Sequence, residues 1–246
     1  MKEKLIIIPA YNERENIEAI IRYVFNLSEQ FDILIVEDNS PDETAEIVRS
    51  LQKEYPDSLY MLNRPEKLGL GTAYIAGFRW AIERDYEYIF EMDADFSHNP
   101  DDLLKLYTKC LNGADLAIGS RYITGVNVVN WPMSRVLMSY CASKYVRMIT
   151  GMPIRDTTAG FVCYRKKTLE AIDLNHIKFK GYAFQIEMKF MTWIMGFSIQ
   201  EVSIIFTDRS KGVSKMTGGI FNEAFWGVIG MKIKSLLKLY PNQKRR

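Results

Sequence analysis

Cysteine and histidine are scarce in this sequence of 246 residues. The three cysteines, Cys110, Cys141 and Cys163, are separated from one another and form no Cys-x-x-Cys pair. An odd number of isolated thiols argues against a disulfide framework or a structural zinc site and favours a reducing compartment. The only two histidines, His98 and His176, leave few candidates for a histidine general base.

Long hydrophobic runs are also absent. No stretch approaches the roughly 18 consecutive apolar residues that a membrane-spanning helix needs. The apolar segment 5–8 is much shorter than the core of a secretory signal peptide. We therefore expect a cytoplasmic protein, and any contact with a membrane is expected to be peripheral, on the cytoplasmic face.

A strong net charge is missing as well, because the formal net charge is +2. This value does not support an electrostatic nucleic-acid footprint, so no nucleic-acid partner is predicted. The charge is nevertheless uneven along the chain. After Glu223 there is no acidic residue, whereas basic residues continue at Lys232, Lys234, Lys238, Lys244, Arg245 and Arg246.

The first half of the sequence contains a regular alternation of strand and helix patterns. Short segments that are apolar throughout, with helical segments between them, predict an α/β fold with a Rossmann-like, mostly parallel sheet covered by helices on both faces. The predicted strands are 5–8, 33–36, 59–62, 88–92 and 116–118, and the predicted helices are 14–27, one from Ser40, 70–84 and one from Asn99.

Two of these helix starts are predicted from capping signals. Ser40 followed by Pro41 and Glu43 has the pattern of a capping box. Asn99 followed by a proline repeats the combination of a cap and a first-turn proline, and Gly113 suits the stop of that helix.

The second half is less regular. Its periodicity predicts helices at 133–149 and 182–195 and strands at 161–164 and 199–206. The polar, glycine-containing segment 207–219 is expected to be a mobile, basic loop. Such a loop can close over phosphates as a lid, and a solvated loop is the alternative.

Carboxylates cluster where the predicted strands end, which is where open parallel sheets bind ligands. Asp93 and Asp95 follow the fourth strand, and carboxylates two residues apart in an extended chain point the same way, about 6.5 Å apart. Both can bind one hard cation, Mg²⁺ or Mn²⁺, that also holds phosphate oxygens. A polar turn that caps the next helix is the alternative.

Other polar side chains near the strand ends are weaker candidates. Asp38 can accept hydrogen bonds from a base or ribose or cap a helix, and Tyr11 can stack on a base or lie half-buried in a loop. Arg121 can hold a phosphate through its planar guanidinium group or be a solvated surface charge. Arg135 starts a helix, with Ser139 one turn later, at a location that favours anions.

Together, eight segments resemble glycosyltransferase family 2, and within it the dolichyl- or polyprenyl-phosphate mannose synthases. They follow the family's order from residue 5 to about residue 216. PAYNE and DADFSH are typical of the superfamily, whereas NWPxxR, DTTAGF and RSKGVSK together are much narrower. The matching segments are PAYNERENI, VEDNSPDET, KLGLGTAYIAGF, EMDADFSHNP, AIGSRYI, NWPMSR, DTTAGFVCYRK and RSKGVSKM.

The resemblance implies a GT-A type fold, GDP-mannose as the donor, a polyprenyl phosphate as the acceptor and inversion at the sugar carbon. It implies that Asp93, Ala94 and Asp95 hold the diphosphate and a metal ion. Ser97 stands where some relatives have a metal-binding glutamine. The resemblance assigns the guanosine to Pro9, Tyr11, Glu13, Val36 and Asp38, the acceptor phosphate to Arg121, Arg135 and Ser139, and the donor phosphates to Lys180, Arg209 and Lys215.

A phosphate acceptor needs no general base, since a phosphate monoester with a second pKa of about 6 is already ionised near neutral pH. The expected catalytic residues, Asp95, Arg121, Arg135 and Ser139, fit this requirement because most of them bind and aim an oxyanion. Asp95 or Glu37 acting as a general base is the conventional alternative.

The C-terminal segment 220–246 is basic and amphipathic, and we expect it to belong to the same domain as the catalytic part, residues 1–219. Its pattern is typical of a helix on an anionic lipid surface. A helix packed on the domain or a dimer contact is the alternative, and the sequence leaves the oligomeric state open. The helix face is predicted to carry Ile229, Ile233, Leu236 and Tyr240.

Other functions compete with this interpretation. The same fold can use another nucleotide sugar, such as UDP-glucose, or a glycan hydroxyl as the acceptor. A sugar nucleotidyltransferase usually has a glycine-rich basic loop where this chain has PAYNE, and a haloacid-type phosphatase carries its DxD on the first strand. A non-catalytic nucleotide-binding protein would not need the intact set of Asp93, Asp95, Arg121, Arg209 and Lys215.

Overall fold

The computed structural model describes residues 3–208 and 220–244. Strands and helices alternate through most of this part of the chain. The elements are β1 Lys4–Ala10, α1 Ile17–Phe25, β2 Asp32–Glu37, α2 Thr44–Glu54, β3 Leu59–Asn63, α3 Leu70–Glu83, β4 Tyr88–Glu91, α4 Leu103–Leu111, β5 Leu116–Ser120, β6 Val128–Val129, α5 Met133–Thr150, β7 Val162–Arg165, α6 Lys166–Ala171, α7 Tyr182–Ile194, β8 Ile199–Ser203, β9 Phe206–Thr207 and α8 Ile220–Leu236.

Seven strands form one sheet in the order β3-β2-β1-β4-β7-β5-β8, and β6 pairs with β9 separately. Within the large sheet β7 is antiparallel to both of its neighbours, and the other pairs are parallel. Strands β1, β2 and β3 follow one another toward one edge of the sheet. The chain then crosses over to β4, which pairs with the other side of β1. Ligands bind at such a reversal of strand order, so the carboxyl ends of β1 and β4 mark the candidate site.

The residues of β1 explain why helices cover both faces of the sheet. Leu5 and Ile7 belong to one apolar cluster, which includes residues of α3 and α7, whereas Ile6 and Ile8 belong to a second, which includes residues of α1, α2 and α4. Neighbouring side chains of a strand point to opposite faces, so an uninterrupted apolar run buries side chains on both. The predicted mostly parallel α/β fold is confirmed.

The helix predicted to start at Ser40 begins later, at Thr44. Ser40 Oγ accepts a hydrogen bond from the backbone N–H of Asn12 at 3.1 Å, so it joins two strand-end loops. Asp42 accepts the hydrogen bond from the Thr44 N–H at 3.2 Å, and Glu43 has a φ of 67°. The predicted capping box is therefore wrong, because a long-range contact uses the serine.

Two further predictions, one of a helix start and one of a strand, have different outcomes. The Asn99 side chain accepts a hydrogen bond from the Asp101 N–H at 3.1 Å, and Gly113, with a φ of 99°, follows the end of α4. The strand predicted at 199–206 is two strands, β8 and β9, that pair in different sheets. The sequence did not predict β6 or α6, which have only two and six residues.

Two glycines inside α3 allow it to pack closely on its neighbours. A Cβ atom at Gly77 would lie 2.6 Å from Ile7 Cγ2, and one at Gly71 would lie 2.7 Å from Phe184 Cγ. Real Cβ atoms do not approach neighbours this closely, so both positions require glycine despite its lower helix propensity.

Helix α8 packs against α5 and α7, and its residues Val228, Met231 and Ser235 are buried. The helix also presents apolar side chains to solvent, among them Trp226, which is 68% exposed. The sequence predicted a helix with an exposed apolar face and left a helix packed on the domain as the alternative. Helix α8 has both properties. In the described ranges, no helix combines the length and apolarity that crossing a membrane requires.

The predicted face of α8 is wrong at one residue. The helix ends at Leu236, so Tyr240 lies beyond it. The Tyr240 ring contacts the Phe190 ring edge-on, with 6.1 Å between centroids, and is part of the core packing.

Candidate active site

The turn after β4 carries the predicted metal ligands. Asp95 is 7% exposed, and its Oδ1 accepts a hydrogen bond from the Ser97 N–H at 3.1 Å. The Asp93 side chain is 39% exposed, whereas Ala94 between them is buried. Phe96 adopts a φ of 58°, which forms a tight turn. Asp93, Asp95 and Ser97 line one cavity.

The chemistry of these side chains fits a hard cation. Carboxylate and hydroxyl oxygens are the ligands that Mg²⁺ and Mn²⁺ prefer. Within residues 3–208 and 220–244, no group of three or more histidine, cysteine, aspartate or glutamate side chains could hold a metal alone. Two carboxylates are enough where a diphosphate supplies further oxygens, so the turn suits a metal that is shared with a nucleotide.

His98 follows the same turn and is buried. Its ring stacks on Phe161, with 4.8 Å between centroids, and meets Phe206 edge-on at 5.2 Å. Its Nδ1 has no hydrogen-bond partner and lies 4.0 Å from Asp93 Oδ2. Burial lowers the pKa of the imidazole to about 4, so it is neutral near pH 7. His98 therefore supports the turn by packing.

Arg121, which follows β5, is held by a buried carboxylate. Its Nε and Nη2 donate to Asp156 at 2.7 and 2.6 Å, and its backbone N–H also donates to Asp156, at 3.0 Å. Its Nη2 donates to Thr158 Oγ1 at 2.8 Å as well. Burial raises the pKa of Asp156, but the charge and hydrogen bonds of Arg121 outweigh it and lower that pKa. The orientation of this guanidinium group is therefore fixed.

Arg135, in the first turn of α5, has a single hydrogen bond to its carboxylate partner. Its Nη1 donates to Asp208 Oδ1 at 2.9 Å, and its Cζ lies 4.1 Å from the centre of the Trp131 ring. The two charged side chains are 34% and 31% exposed. Ser139 accepts a hydrogen bond from Tyr122 at 2.8 Å. Both predicted arginines and Ser139 line the cavity that contains the paired carboxylates.

A buried polar network beneath the cavity was not predicted. Gln185 Nε2 donates to Glu91, and Lys189 Nζ donates to Gln185 Oε1 at 3.1 Å and to the Ala159 carbonyl at 2.6 Å. Burial raises the pKa of Glu91 and lowers that of Lys189. The network connects β4 and α7 to the segment that carries Asp156. The signal in the sequence that could have indicated this network is the pair Gln185 and Lys189, which are four positions apart in the mostly apolar α7.

The predicted guanosine-binding residues lie at the ends of β1 and β2. Pro9 is paired with Val36 in the sheet register. The Lys67 ammonium group lies 4.5 Å from the centre of the Tyr11 ring, and Glu13 accepts a hydrogen bond from a neighbouring asparagine side chain at 3.1 Å. The topology therefore brings these residues to one edge of the sheet. Lys67, which contacts one of these residues, was not singled out in the sequence.

Acidic residues at the end of β2 have different roles. Arg64 binds Asp38 through Nε and Nη2, both at 2.6 Å, and its Nη1 donates to Thr72. Glu37 accepts hydrogen bonds from two backbone N–H groups, those of Asn39 and Ser40, at 2.9 and 2.7 Å. Glu37 thus stabilises its own turn, which argues against its use as a general base.

The predicted donor-phosphate residues are only partly described. Lys180 is exposed, and its carbonyl accepts a hydrogen bond from the Gly71 N–H at 2.8 Å. Arg209 and Lys215 lie outside the described residues, as does nearly all of the predicted loop. The cavity has a volume of about 500 Å³. Its lining does not include Pro9, Tyr11, Glu13, Val36, Asp38, Ala94 or Lys180.

Comparison with known proteins identifies the family to which the chain belongs. Residues 5–173 match the model of the family "Glycosyl transferase family 2". The polyprenol monophosphomannose synthase of Mycolicibacterium smegmatis is 46% identical over 92% of this chain and 87% of its own length. The undecaprenyl-phosphate mannosyltransferase of Micrococcus luteus is 45% identical over 91% of this chain and 93% of its own length.

More distant similarities agree. The dolichol-phosphate mannosyltransferase of Pyrococcus furiosus is 36% identical over 87% of this chain and 59% of its own length. Glucosyl-3-phosphoglycerate synthase from Mycobacterium tuberculosis, solved with Mn²⁺, UDP and phosphoglyceric acid, superposes with a TM-score of 0.66 at 14% identity, over 95% of this chain and 78% of that one. This structural likeness supports the GT-A type fold. The chain therefore belongs to glycosyl transferase family 2 and is a glycosyltransferase of the polyprenyl-phosphate mannose synthase group.

Proposed function

We propose that this enzyme transfers mannose from GDP-mannose to a polyprenyl phosphate, with inversion at the sugar carbon and with Mg²⁺ or Mn²⁺. The observation that carries the proposal is the two-part lining of the cavity. Paired carboxylates and two arginines line one part, and apolar side chains of α5 and α8 line the other. The names of the three similar mannosyltransferases support a mannosyl group and a polyprenyl acceptor.

The apolar part of the cavity suits a lipid chain. Tyr145 on α5 and Val228 on α8 contribute to it, and so do Met138 and Phe225, which are 47% and 45% exposed. The apolar lining therefore continues onto the protein surface. A polyprenyl phosphate has a charged head for the arginines and an apolar chain for these helices.

The chemistry follows from this placement. An oxygen of the acceptor phosphate attacks the anomeric carbon of mannose while the bond from that carbon to the donor diphosphate breaks on the opposite face. Arg121 and Arg135 bind and aim the attacking oxyanion. Held by Asp93, Asp95 and Ser97, the metal ion would stabilise the negative charge on the departing GDP. The acceptor is already ionised near neutral pH, so no side chain has to remove a proton.

We further propose that α5 and α8 contact the surface of an anionic membrane. Both helices expose large apolar side chains, and basic side chains lie along them, which is the combination that binds anionic lipid. The acceptor lipid would enter the cavity from this surface. The exposed apolar residues are Met133, Leu137, Met138, Tyr140, Met148, Phe225, Trp226, Ile233 and Leu236, and the exposed basic residues are Lys144 and Arg147.

The test is transfer of radiolabelled mannose from GDP-mannose to a polyprenyl phosphate in detergent, with Mg²⁺, Mn²⁺ or EDTA. We expect label in the lipid phase with a divalent metal and none with EDTA, and the unphosphorylated polyprenol is the matched acceptor control. Transfer only from a UDP-sugar would overturn the donor assignment and retain the acceptor. Transfer in EDTA would overturn the metal requirement.

A further inference from the structure

One aromatic ring contacts both arginines of the cavity. The Arg135 Cζ lies 4.1 Å from the centre of the Trp131 ring, and the Arg121 Cζ lies 5.5 Å from it. Both distances are within the roughly 6 Å range of a cation–π interaction, and tryptophan provides the strongest such ring. All three side chains line the cavity. Trp131 is therefore a contact that the two guanidinium groups share.

A shared contact matters because the two guanidinium groups carry like charges. Each has a carboxylate partner, Asp156 for Arg121 and Asp208 for Arg135. These ion pairs hold the arginines one by one. A ring that attracts both cations also sets their positions relative to each other. The relative position is what counts for a phosphate that has to meet both arginines.

The Trp131 ring has a support of its own in the fold. It meets the Phe206 ring edge-on, with 5.2 Å between centroids, and Phe206 meets His98 in the same way, also at 5.2 Å. Phe206 and His98 are in addition joined by an antiparallel β-bridge. The ring that contacts the arginines is therefore packed against the segment that follows the paired carboxylates.

The polar atom of the indole does not explain why this ring is a tryptophan. Trp131 Nε1 is buried, and within the described part of the chain it has no hydrogen-bond partner. A buried donor without a partner lowers stability, so hydrogen bonding gives no advantage over phenylalanine. The face of the indole does give one, since it is larger and binds cations more strongly.

We propose that Trp131 is a positioning residue that sets the guanidinium group of Arg135 relative to that of Arg121, so that both bind one acceptor phosphate. This inference rests on the proposed function of the cavity. The ring acts through the two arginines and does not have to touch the phosphate.

The experiment measures binding of a short-chain polyprenyl monophosphate to the full chain in detergent, without donor, and then the KM of each substrate in the transfer assay. Trp131→Leu keeps an apolar side chain and removes the aromatic face. We expect acceptor binding about fivefold weaker, the scale of one partly desolvated cation–π contact, and an acceptor KM raised by a similar factor. The donor KM should not change, because the ring acts on the arginines proposed to bind the acceptor.

The conservative variant separates the aromatic face from the side-chain volume. Trp131→Phe retains a smaller and weaker face, so we expect acceptor binding only about twofold weaker. This variant also decides the question if Trp131→Leu does not fold, which the thermal unfolding midpoint shows.

Two controls make the result specific. Trp80→Leu removes the ring of a similar pair outside the cavity, in which the Arg84 Cζ lies 4.0 Å from the centre of the Trp80 ring. Below its unfolding temperature, this variant should bind the acceptor as the wild type does. In an Arg135→Ala background, Trp131→Leu should weaken binding much less, because the arginine that the ring positions is gone.

The outcomes separate the two proposals. If the wild-type chain binds the polyprenyl monophosphate and Trp131→Leu binds it equally well, the role of Trp131 is overturned and the proposed function stands. The same holds if Trp131→Phe loses as much affinity as Trp131→Leu, or if the loss is undiminished in the Arg135→Ala background. If the wild-type chain binds no polyprenyl monophosphate, the acceptor assignment fails, and the role of Trp131 fails with it.

Discussion

The two halves of the molecule use their helices differently. In the half proposed to bind the donor, residues 3–120 (the donor-side half), α1 buries Ile17, Ile20, Ile21 and Val24 against the sheet. In the half proposed to bind the acceptor, residues 121–208 and 220–244 (the acceptor-side half), α5 leaves Met133 and Met148 71% and 75% exposed. Folding buries most apolar side chains of the first half, in which four large ones are exposed, whereas the two helices α5 and α8 alone expose nine. An apolar excess beside a polar cavity indicates binding of an amphiphile.

The halves also differ in how they hold charge. The donor-side half presents acidic groups in a turn, and the acceptor-side half presents arginines that carboxylates hold in place. A metal between the first group and a diphosphate, and a phosphate on the second, would bring opposite charges together at the point of reaction. The comparison predicts distinct effects of substitutions in the two halves.

The largest expected effect is the loss of turnover when Asp95, in the turn after β4, is replaced. Asp95→Asn keeps the size of the side chain but removes the charge proposed to hold the metal, so mannose transfer should fall below detection while the unfolding midpoint stays close to wild type. Asp101→Asn, at an exposed residue of the turn that precedes α4, is the matched control and should retain activity. Wild-type rates for Asp95→Asn would remove this residue from the metal site.

On the acceptor side, Asp156→Asn should cost about 3–5 kcal/mol of unfolding free energy, since it leaves Arg121 buried without its charged partner. Urea unfolding at pH 7 measures this difference. Asp85→Asn, which removes an exposed partner of Lys166, should have a much smaller effect.

The stabilisation by Asp156 should also depend on pH. Arg121 lowers the folded-state pKa of Asp156, so the ion pair contributes fully above the unfolded-state pKa of about 4 and is lost as the pH falls through the lowered folded-state value. The gap between wild type and Asp156→Asn should therefore narrow on acidification below about pH 4. A gap that stays constant down to pH 2 would contradict this account.

A smaller effect on stability is expected from glycine substitutions, because α3 and α8 differ in how closely neighbouring atoms approach them. Gly77→Ala in α3 should cost about 1–3 kcal/mol, because the new Cβ would meet Ile7 at 2.6 Å. At Gly230 in α8 a Cβ meets nothing within 4 Å, so Gly230→Ala should be neutral or stabilise by up to about 1 kcal/mol. Thermal and urea unfolding of the two variants measure the contrast, and equal costs would show that both helices pack equally closely.

The smallest effect concerns membrane contact. Trp226→Ser on α8 should weaken binding to anionic vesicles roughly fivefold, since it removes an exposed apolar side chain from the proposed lipid surface. Leu111→Ser, which replaces a 53% exposed residue at the end of α4 in the other half, should leave binding unchanged. Equal losses in a vesicle co-sedimentation assay would mean that α8 has no special role.

Sequence reasoning was most successful where the signal is local. The uninterrupted apolar run of β1 predicts a strand buried on both faces, and the position of Asp93 and Asp95 directly after another such strand predicts their place at the sheet edge. It failed at Ser40, whose hydroxyl group binds Asn12, 28 positions away in the chain. A local capping rule cannot include a partner that only folding brings near.

The sequence by itself determined the layered α/β fold and the place of the paired carboxylates, because strand periodicity and residue order express both directly. Only the tertiary structure decided that Arg121 is held by Asp156 and Arg135 by Asp208, pairs separated by 35 and 73 positions. The same is true of the apolar part of the cavity between α5 and α8. These features depend on contacts between distant segments, whose geometry is set by the packing of the whole chain.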